Sequence, residues 1–381
     1  MFSKFIERLH KELEAPAEER RFGTGWISGV IAVILSVAAL VATICILFPN
    51  IFTTPQLRQA YASFPLQMAV HGLVLLSFFL ALLSLGLRAS RTLGFSAIFF
   101  VLLTNFIGGM QAYAPTVEGN GVFFGLDYFM LNVLFTGVLF VPLERHFPQR
   151  GTQPLFREEW REDLFYYFIS SLMVQVLAFL SLLPSHQILA HSAWQDFRAL
   201  VGSQPVVLQF IEIMFLTDFV QYWVHRCFHR IPALWKFHAV HHSAKTLDWM
   251  AGARMHFVEI FILRGLTVIP MMTFGYSQTV VQAYILVVYL YSTYIHANVG
   301  WSSRYLSKFM VTPRFHHWHH GIEKEAIDVN FAIHFPLLDK LFGTYYLPEG
   351  KWPDGYGIGG HPVPRGYIKQ FLYPFRRDKK A

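Results

Sequence analysis

Eleven of the 18 histidines lie between His225 and His320, and they fall into clusters. The first is His225-Arg-Cys-Phe-His229. An i, i+4 spacing on a helix puts both imidazoles on one face, as two ligands of one metal centre require. The second is His238-Ala-Val-His241-His242. On a helix His238 aligns with both later histidines, while His241 and His242 point apart and could serve two adjacent ions. The third, His316-His317-Trp-His319-His320, repeats that pattern through His316, His319 and His320. His317 falls outside it, with an exchange against His316 left open. His296 stands between the second and third clusters, at the expected end of an apolar segment. Taken singly, each pair reads as incidental or as hydrogen-bonded core residues. Together they supply nine imidazoles, and a structural zinc uses only about four, so two metals sharing a pocket are expected. Imidazole suits iron, zinc or copper, and iron at a membrane surface suggests oxygen chemistry.

Three further residues are candidates for supporting the ligands. His256, just before an apolar run, could orient a ligand or sit at the membrane interface. Asp218 lies on the segment leading into His225, where a bare carboxylate is costly, so it is expected to accept a histidine N–H. Asn298, two residues past His296, could orient a ligand or cap backbone. His10, His71, His146, His186, His191, His334 and His361 have no cluster partners and read as structural.

The elements that must position these groups are apolar. Of 381 residues, 54% are hydrophobic and 14% charged, too little polar surface for a soluble globule of this size. Eight apolar segments run from about 27 to 48, 64 to 85, 93 to 110, 122 to 143, 164 to 183, 206 to 224, 258 to 274 and 279 to 295. The last two are parted by Gly275-Tyr-Ser-Gln278, a tight hairpin. Arg264 within the seventh needs a partner, and Glu259 is the nearest acid. Lys and Arg concentrate before the first segment and after the second and fourth, which places the N-terminus and the histidine clusters on the cytoplasmic side. No small-residue cleavage site follows the first segment, so no cleaved signal peptide is expected. The +7 formal charge fits basic loops facing anionic lipid, and no nucleic-acid partner is expected. Cys45 and Cys227 are too few for a disulfide framework or a thiolate zinc site. The expectation is an all-α polytopic membrane protein of about eight apolar segments with a cytoplasmic helical cap bearing the histidines. Residues 1–120 would be an N-terminal membrane region of three spans, 121–350 the catalytic domain and 351–381 a cytoplasmic tail. Tyr284, Tyr289, Tyr291 and Tyr294 could line a lipid slot or simply pack.

The boxes HRCFH, HAVHH and HHWHH, in this order and with these gaps, resemble those of the fatty acid hydroxylase and sterol desaturase superfamily of integral-membrane di-iron enzymes. Pro313-Arg-Phe-His316, Asp328-Val-Asn330-Phe-Ala332 and Asp339-Lys-Leu-Phe-Gly-Thr-Tyr345 extend the resemblance, which covers about residues 122 to 347. It looks closest to the bacterial and alkylglycerol monooxygenase-like branch. The resemblance implies that His225, His229, His238, His241, His242, His296, His316, His319 and His320 bind two iron ions that activate O2 against a lipid C–H bond. Hydroxylation is the first expectation and desaturation the second. A transition-metal transporter, the reading from another class, would hold its ligands at mid-membrane, whereas these clusters sit at segment ends. The sequence has no haem-attachment motif, iron–sulfur cysteine set or dinucleotide fingerprint, so a separate electron-donor protein is implied. The membrane would be the bacterial inner membrane or the endoplasmic reticulum.

Overall fold

Within its described residues each of the eight apolar segments contains helix in the computed structural model, which describes residues 2–55, 57–58, 65–109, 123–191, 194–301, 303, 305–360 and 362–376, so that the expected segment ends at 64, 110 and 122 lie outside the described residues. Among these the chain is helical, with only two isolated β-bridges. The helices used below are α1 (Trp26–Leu47), α2 (Leu66–Leu87), α3 (Thr92–Phe106), α4 (Leu126–His146), α5 (Trp160–Leu172), α6 (Val174–Ala190), α7 (Val206–Arg230), α8 (Pro232–His242), α9 (Phe257–Thr273), α10 (Gln278–His296), α11 (Pro313–His319), α12 (Pro336–Leu341) and α13 (Tyr367–Leu372). Four of them, α1, α2, α4 and α7, are long and apolar enough to cross a membrane, and a fifth crossing results if α5 and α6 count as one. Of the other expected segments, α3 has 15 residues, α9 has 17 and α10 has 19 with lower hydropathy. The run expected as one span at 164–183 is bent by 65° between α5 and α6. Ser170 at the bend turns its hydroxyl back onto the carbonyls of Tyr166 and Tyr167, competing with the helical ladder.

The chain divides into two compact units. The first comprises Met1–Leu134, Gln153–Arg157 and Ser171–Gln175. In it α1, α2 and α3 pack on one another with Ser36, Ser77, Ser84 and Ser96 buried inside, while Leu76, Phe79, Phe95, Phe99 and Phe106 face outward. Small residues inside and large apolar ones outside are what helices packing in lipid require. Contact is close enough that a Cβ on Gly29 would fall 2.5 Å from Ser84 Oγ and 2.8 Å from Leu93 Cβ.

The second unit comprises Phe135–Thr152, Glu158–Ser170 and Val176–Ala381. Here α7 packs against α8, α9 and α10, and α10 against α11. The expected hairpin between α9 and α10 is present. Gly275 takes φ 92°, a left-handed turn conformation, and a Cβ there would meet the Arg198 carbonyl at 2.6 Å. Below the histidines, Tyr222, Ile295, Val311, Phe315, Phe331 and Leu338 form one buried cluster. The chain after α11 runs without regular structure through residues 328–335, so its backbone needs other partners. Asp218, fully buried on α7, accepts from the N–H groups of Ile333 (2.9 Å), His334 (3.2 Å) and Phe335 (2.8 Å). Asp339 on α12 accepts from Phe331 (2.7 Å), Ala332 (3.0 Å) and the Thr344 hydroxyl (2.7 Å). Asn330, at φ 59°, spans Phe315 and Tyr346 with its side-chain amide.

Asp218→Ala therefore leaves three buried N–H donors without an acceptor, at about 1–3 kcal/mol each. Thermal unfolding in detergent, followed by near-UV circular dichroism, should show a clearly lowered Tm, with Asp218→Asn intermediate. An unchanged Tm for Asp218→Ala would mean that this clamp does not hold residues 333–335.

Candidate metal centre

Helix geometry within each cluster decides which ring meets which. The turn between α7 and α8 brings His225 and His229 against His238 and His242, since Pro232 starts α8 at its first position without needing an N–H partner. Thr312 caps α11 by accepting from Phe315 N–H, and Pro313 follows. These helices and the end of α10 produce two groups of imidazoles. His225, His229, His238, His242 and His319 form one, and His241, His296, His316 and His320 the other, with the ligand atoms of each group within 4.8 Å of one another. His241 and His242, adjacent in sequence, go to different groups, and so do His319 and His320. His242 and His320 stack across the two groups with ring centroids 4.4 Å apart.

The ring nitrogens are sorted by role. Nδ1 of His225 faces the Phe331 carbonyl (2.9 Å), that of His241 the Arg254 carbonyl (3.1 Å), that of His296 the Ser292 carbonyl (2.7 Å) and that of His319 the Val329 carbonyl (2.7 Å). Nδ1 of His238 meets Glu259 Oε1 at 2.5 Å, and Nδ1 of His229 meets Asp328 Oδ1 at 3.3 Å. All six partners accept, so these Nδ1 atoms carry the proton and Nε2 presents a lone pair. The Nε2 atoms point inward at each other. His225 to His238 is 3.0 Å, His238 to His242 is 3.1 Å and His242 to His319 is 3.1 Å. In the second group His296 to His316 is 2.9 Å, His296 to His241 is 3.2 Å and His316 to His320 is 3.2 Å. Where both members have their protons fixed outward, as in His225–His238 and His241–His296, the contact is lone pair against lone pair and cannot be a hydrogen bond.

A cation removes that conflict. Two nitrogens held about 2.1 Å from one ion at a right angle lie about 3 Å apart, the spacing found in both groups. Buried, mutually facing lone pairs with outward protons thus fit a metal with imidazole ligands. Burial first, and neighbouring imidazoles second, push His238, His242, His316, His319 and His320 well below the usual imidazole value, which keeps them in the neutral form that metals bind.

The remaining expected residues fall elsewhere. Asp218 does not reach a histidine ring and clamps backbone, because residues 333–335 present three N–H groups to it. His256 caps α9 by accepting from Val258 N–H (3.1 Å) and donates to the Phe371 carbonyl (3.0 Å), so it touches no ligand. Asn298 binds the backbone of Arg150, accepting at 2.9 Å and donating at 3.2 Å. His317 points away, with Nε2 toward the Ala297 carbonyl (3.1 Å) and Nδ1 accepting from the Tyr356 hydroxyl (2.8 Å). Glu259 serves His238 and not Arg264, which lies five residues on and about 140° around the helix. Tyr284 and Tyr291 bond to Thr217 and His334, and to the Val311 carbonyl, inside the unit. Sequence reasoning missed Asp328 and Glu259 as histidine partners. For Asp328 its place in the motif that resembles the family's closing segment was a usable signal. Residues beyond 350 also belong to this unit: Gly357 N–H donates to the His320 carbonyl (3.3 Å), and Gln370 bonds to Tyr166 (2.9 Å).

Comparison with known proteins joins this geometry to a family. The sequence pattern of the fatty acid hydroxylase family matches residues 210–344, a stretch that includes all nine histidines. The chain carries a fatty acid hydroxylase domain. The domain's relatives include the ornithine lipid hydroxylase OlsE of Rhizobium tropici, 30% identical over 173 residues, which are 45% of this chain and 52% of that protein. The alkylglycerol monooxygenase of Homo sapiens is 30% identical over 146 residues, 38% of this chain and 32% of that one. Methylsterol monooxygenase 1-3 of Arabidopsis thaliana is 27% identical over 146 residues, 36% of this chain and 48% of its own. The chain thus spans about half the length of these relatives or less. No solved structure matches it. The bacterial and alkylglycerol monooxygenase-like branch suggested by the boxes is the one in which two of these relatives fall, and the apolar helices make the chain a membrane protein.

If Glu259 holds His238 in its tautomer, Glu259→Ala should weaken metal binding about 10- to 100-fold. Metal titration in competition with a chelator measures this, and Glu259→Gln, which can still accept, should fall between the two. Equal affinities in all three proteins would remove Glu259 from the site.

Proposed function

We propose that the hydroxylase domain is an O2-dependent di-iron monooxygenase that hydroxylates a lipid. The observation that carries this reading is the pair of buried imidazole groups, five and four, whose Nε2 atoms converge while acceptors on the far side hold the Nδ1 proton of six of the nine rings. His225, His229, His238, His242 and His319 would hold one iron, and His241, His296, His316 and His320 the other. Two irons bound there would supply the activation of O2 and the oxidation of a C–H bond. The overall change is lipid C–H, O2, two electrons and two protons to lipid C–OH and water, the electrons coming from a separate donor protein.

The protein's own part is to hold and insulate. Glu259, Asp328 and the carbonyls of Phe331, Val329, Arg254 and Ser292 fix the tautomers of His238, His229, His225, His319, His241 and His296, so these six offer a lone pair without reorganising. Asp218, Asp339 and Asn330 keep the strand of backbone that carries two of those carbonyls in place. Phe228 and Phe331 are buried against the rings and exclude water. The relatives named as hydroxylases and monooxygenases favour oxygen insertion over desaturation. Two closed groups of neutral ligands favour an enzyme over a transporter. The arrangement of charges along the chain supports several crossings with this site on the cytoplasmic side, and the confinement of the clustered histidines to residues 225–320 supports a catalytic domain over 121–350 after an N-terminal region of three spans over 1–120.

Elemental analysis of detergent-purified protein should find about two irons per chain, one in each group of ligands. His319→Ala should lower the content of the first group and His241→Ala that of the second, and lipid mass spectrometry of expressing cells should show a species heavier by one oxygen that both variants lack. Wild-type protein that stays metal-free when prepared anaerobically with iron would sink this reading.

A further inference from the structure

Trp235, in the middle of α8, covers the first imidazole group from outside. Its ring centroid lies 5.2 Å from that of His229, 5.5 Å from His242 and 6.2 Å from His238. The His229 ring beneath it is buried, its side chain only 5% exposed, whereas Trp235 itself is half-buried. The other aromatic rings against this group, Phe228 and Phe331, are buried. Trp235 is therefore an aromatic ring that touches both water and three of the proposed ligands.

The surface beside it has a defined chemistry. Residues 226–236 carry Arg226, Arg230 and Lys236 and no acidic residue. The Arg230 side chain, 57% exposed, pairs with Asp328 Oδ2 at 3.3 Å, and Asp328 Oδ1 meets Nδ1 of His229. Ile231 and Ile327 are exposed alongside, as are Pro232 and Ala233. Arg226 donates to the Tyr222 hydroxyl and the Phe342 carbonyl, Lys236 donates to the Arg376 carbonyl, and the exposed Lys324 and Glu325 beyond Ile327 cancel, so the apolar patch keeps a net positive fringe, the complement of an acidic protein face.

We propose that this face docks an acidic one-electron carrier protein and that Trp235 is the contact through which its electrons enter the first imidazole group. The inference rests on the reading of the site as a di-iron monooxygenase, which consumes two electrons per turnover. Two successive carriers each dock reduced, lose one electron and leave oxidised. With two protons from water, those electrons convert the oxygen atom that is not inserted into water. Electron transfer weakens steeply with the gap between donor and acceptor, so an aromatic ring centred 5.2 to 6.2 Å from three ligand rings favours this face.

Docking does not need the metal, which allows a test separate from turnover. Binding of an acidic plant-type [2Fe–2S] ferredoxin to the full chain in detergent is measured at low and high salt, with and without iron, and with basic cytochrome c as the wrong-sign control. The ferredoxin should bind more weakly as salt rises, and cytochrome c should not bind. Lys236→Glu, alone and with Arg230→Gln, should weaken ferredoxin binding about tenfold or more. In iron-loaded protein, Trp235→Ala should slow reduction by ferredoxin about tenfold relative to reduction by dithionite, with Trp235→Phe in between. Unchanged ferredoxin affinity in the charge variants, equal binding of cytochrome c, or equal reduction of Trp235→Ala would overturn the assignment. A wild-type chain that binds the ferredoxin with this salt dependence but takes up no iron would instead fault the monooxygenase reading and leave the docking surface standing.

Discussion

Nine imidazoles turned toward each other, six of them with the proton held on the far side by a carbonyl or carboxylate, are an electrostatic problem that a cation relieves. Facing lone pairs at about 3 Å cannot be rearranged into hydrogen bonds while Nδ1 is held by a carbonyl or carboxylate. Nor can protonation relieve them easily, because burial disfavours the charged ring. The conflict persists only because the surroundings over-determine each ring, and most of the second unit can be understood as the means of doing so.

The surroundings work through backbone. Carbonyls of Phe331 and Val329 belong to a stretch with no helix or strand to hold it, and that stretch is fixed by Asp218, Asp339 and Asn330 through eight hydrogen bonds involving these three side chains and the neighbouring chain. A buried carboxylate is costly alone, and three donors to each of these two offset that cost. The proposed metal centre therefore leans on residues that lie outside both imidazole groups. Glu144 extends the same logic, taking the N–H groups of Trp249 and Asn298 on one oxygen at 2.8 and 2.9 Å.

The histidines were legible because an α-helix translates spacing into direction. His238, His241 and His242 could be seen to diverge toward two places from their numbers alone, and His316, His319 and His320 likewise. Which ring of one helix would meet which ring of another was not legible, since that depends on the turn at Ile231-Pro232 and on the return of the chain after α11. The partition into five and four is such a fact. Asp218 was noticed for its burial but given a side-chain partner, because a backbone segment 115 residues away leaves no periodic trace. His256 sat close to the boxes in sequence and was drawn toward them, whereas its ring is spent on capping α9 and holding Phe371. The apolar runs located helices well, but not the 65° break after α5, which no change in hydropathy marks.

The distance along the chain between the first ligand and the last has a consequence for biosynthesis. His225 and His320 are separated by α8, α9, α10 and α11, and each group needs residues from both ends of that interval. A nascent chain that has inserted α7 and α8 already holds four members of the first group but lacks His319, and it has one member of the second. The pocket is therefore assembled only after the hairpin of α9 and α10 has gone in and α11 has come back beneath it. On the proposed reading, metal would load late in the life of the chain, and a bound ion would then tie together elements made far apart in time.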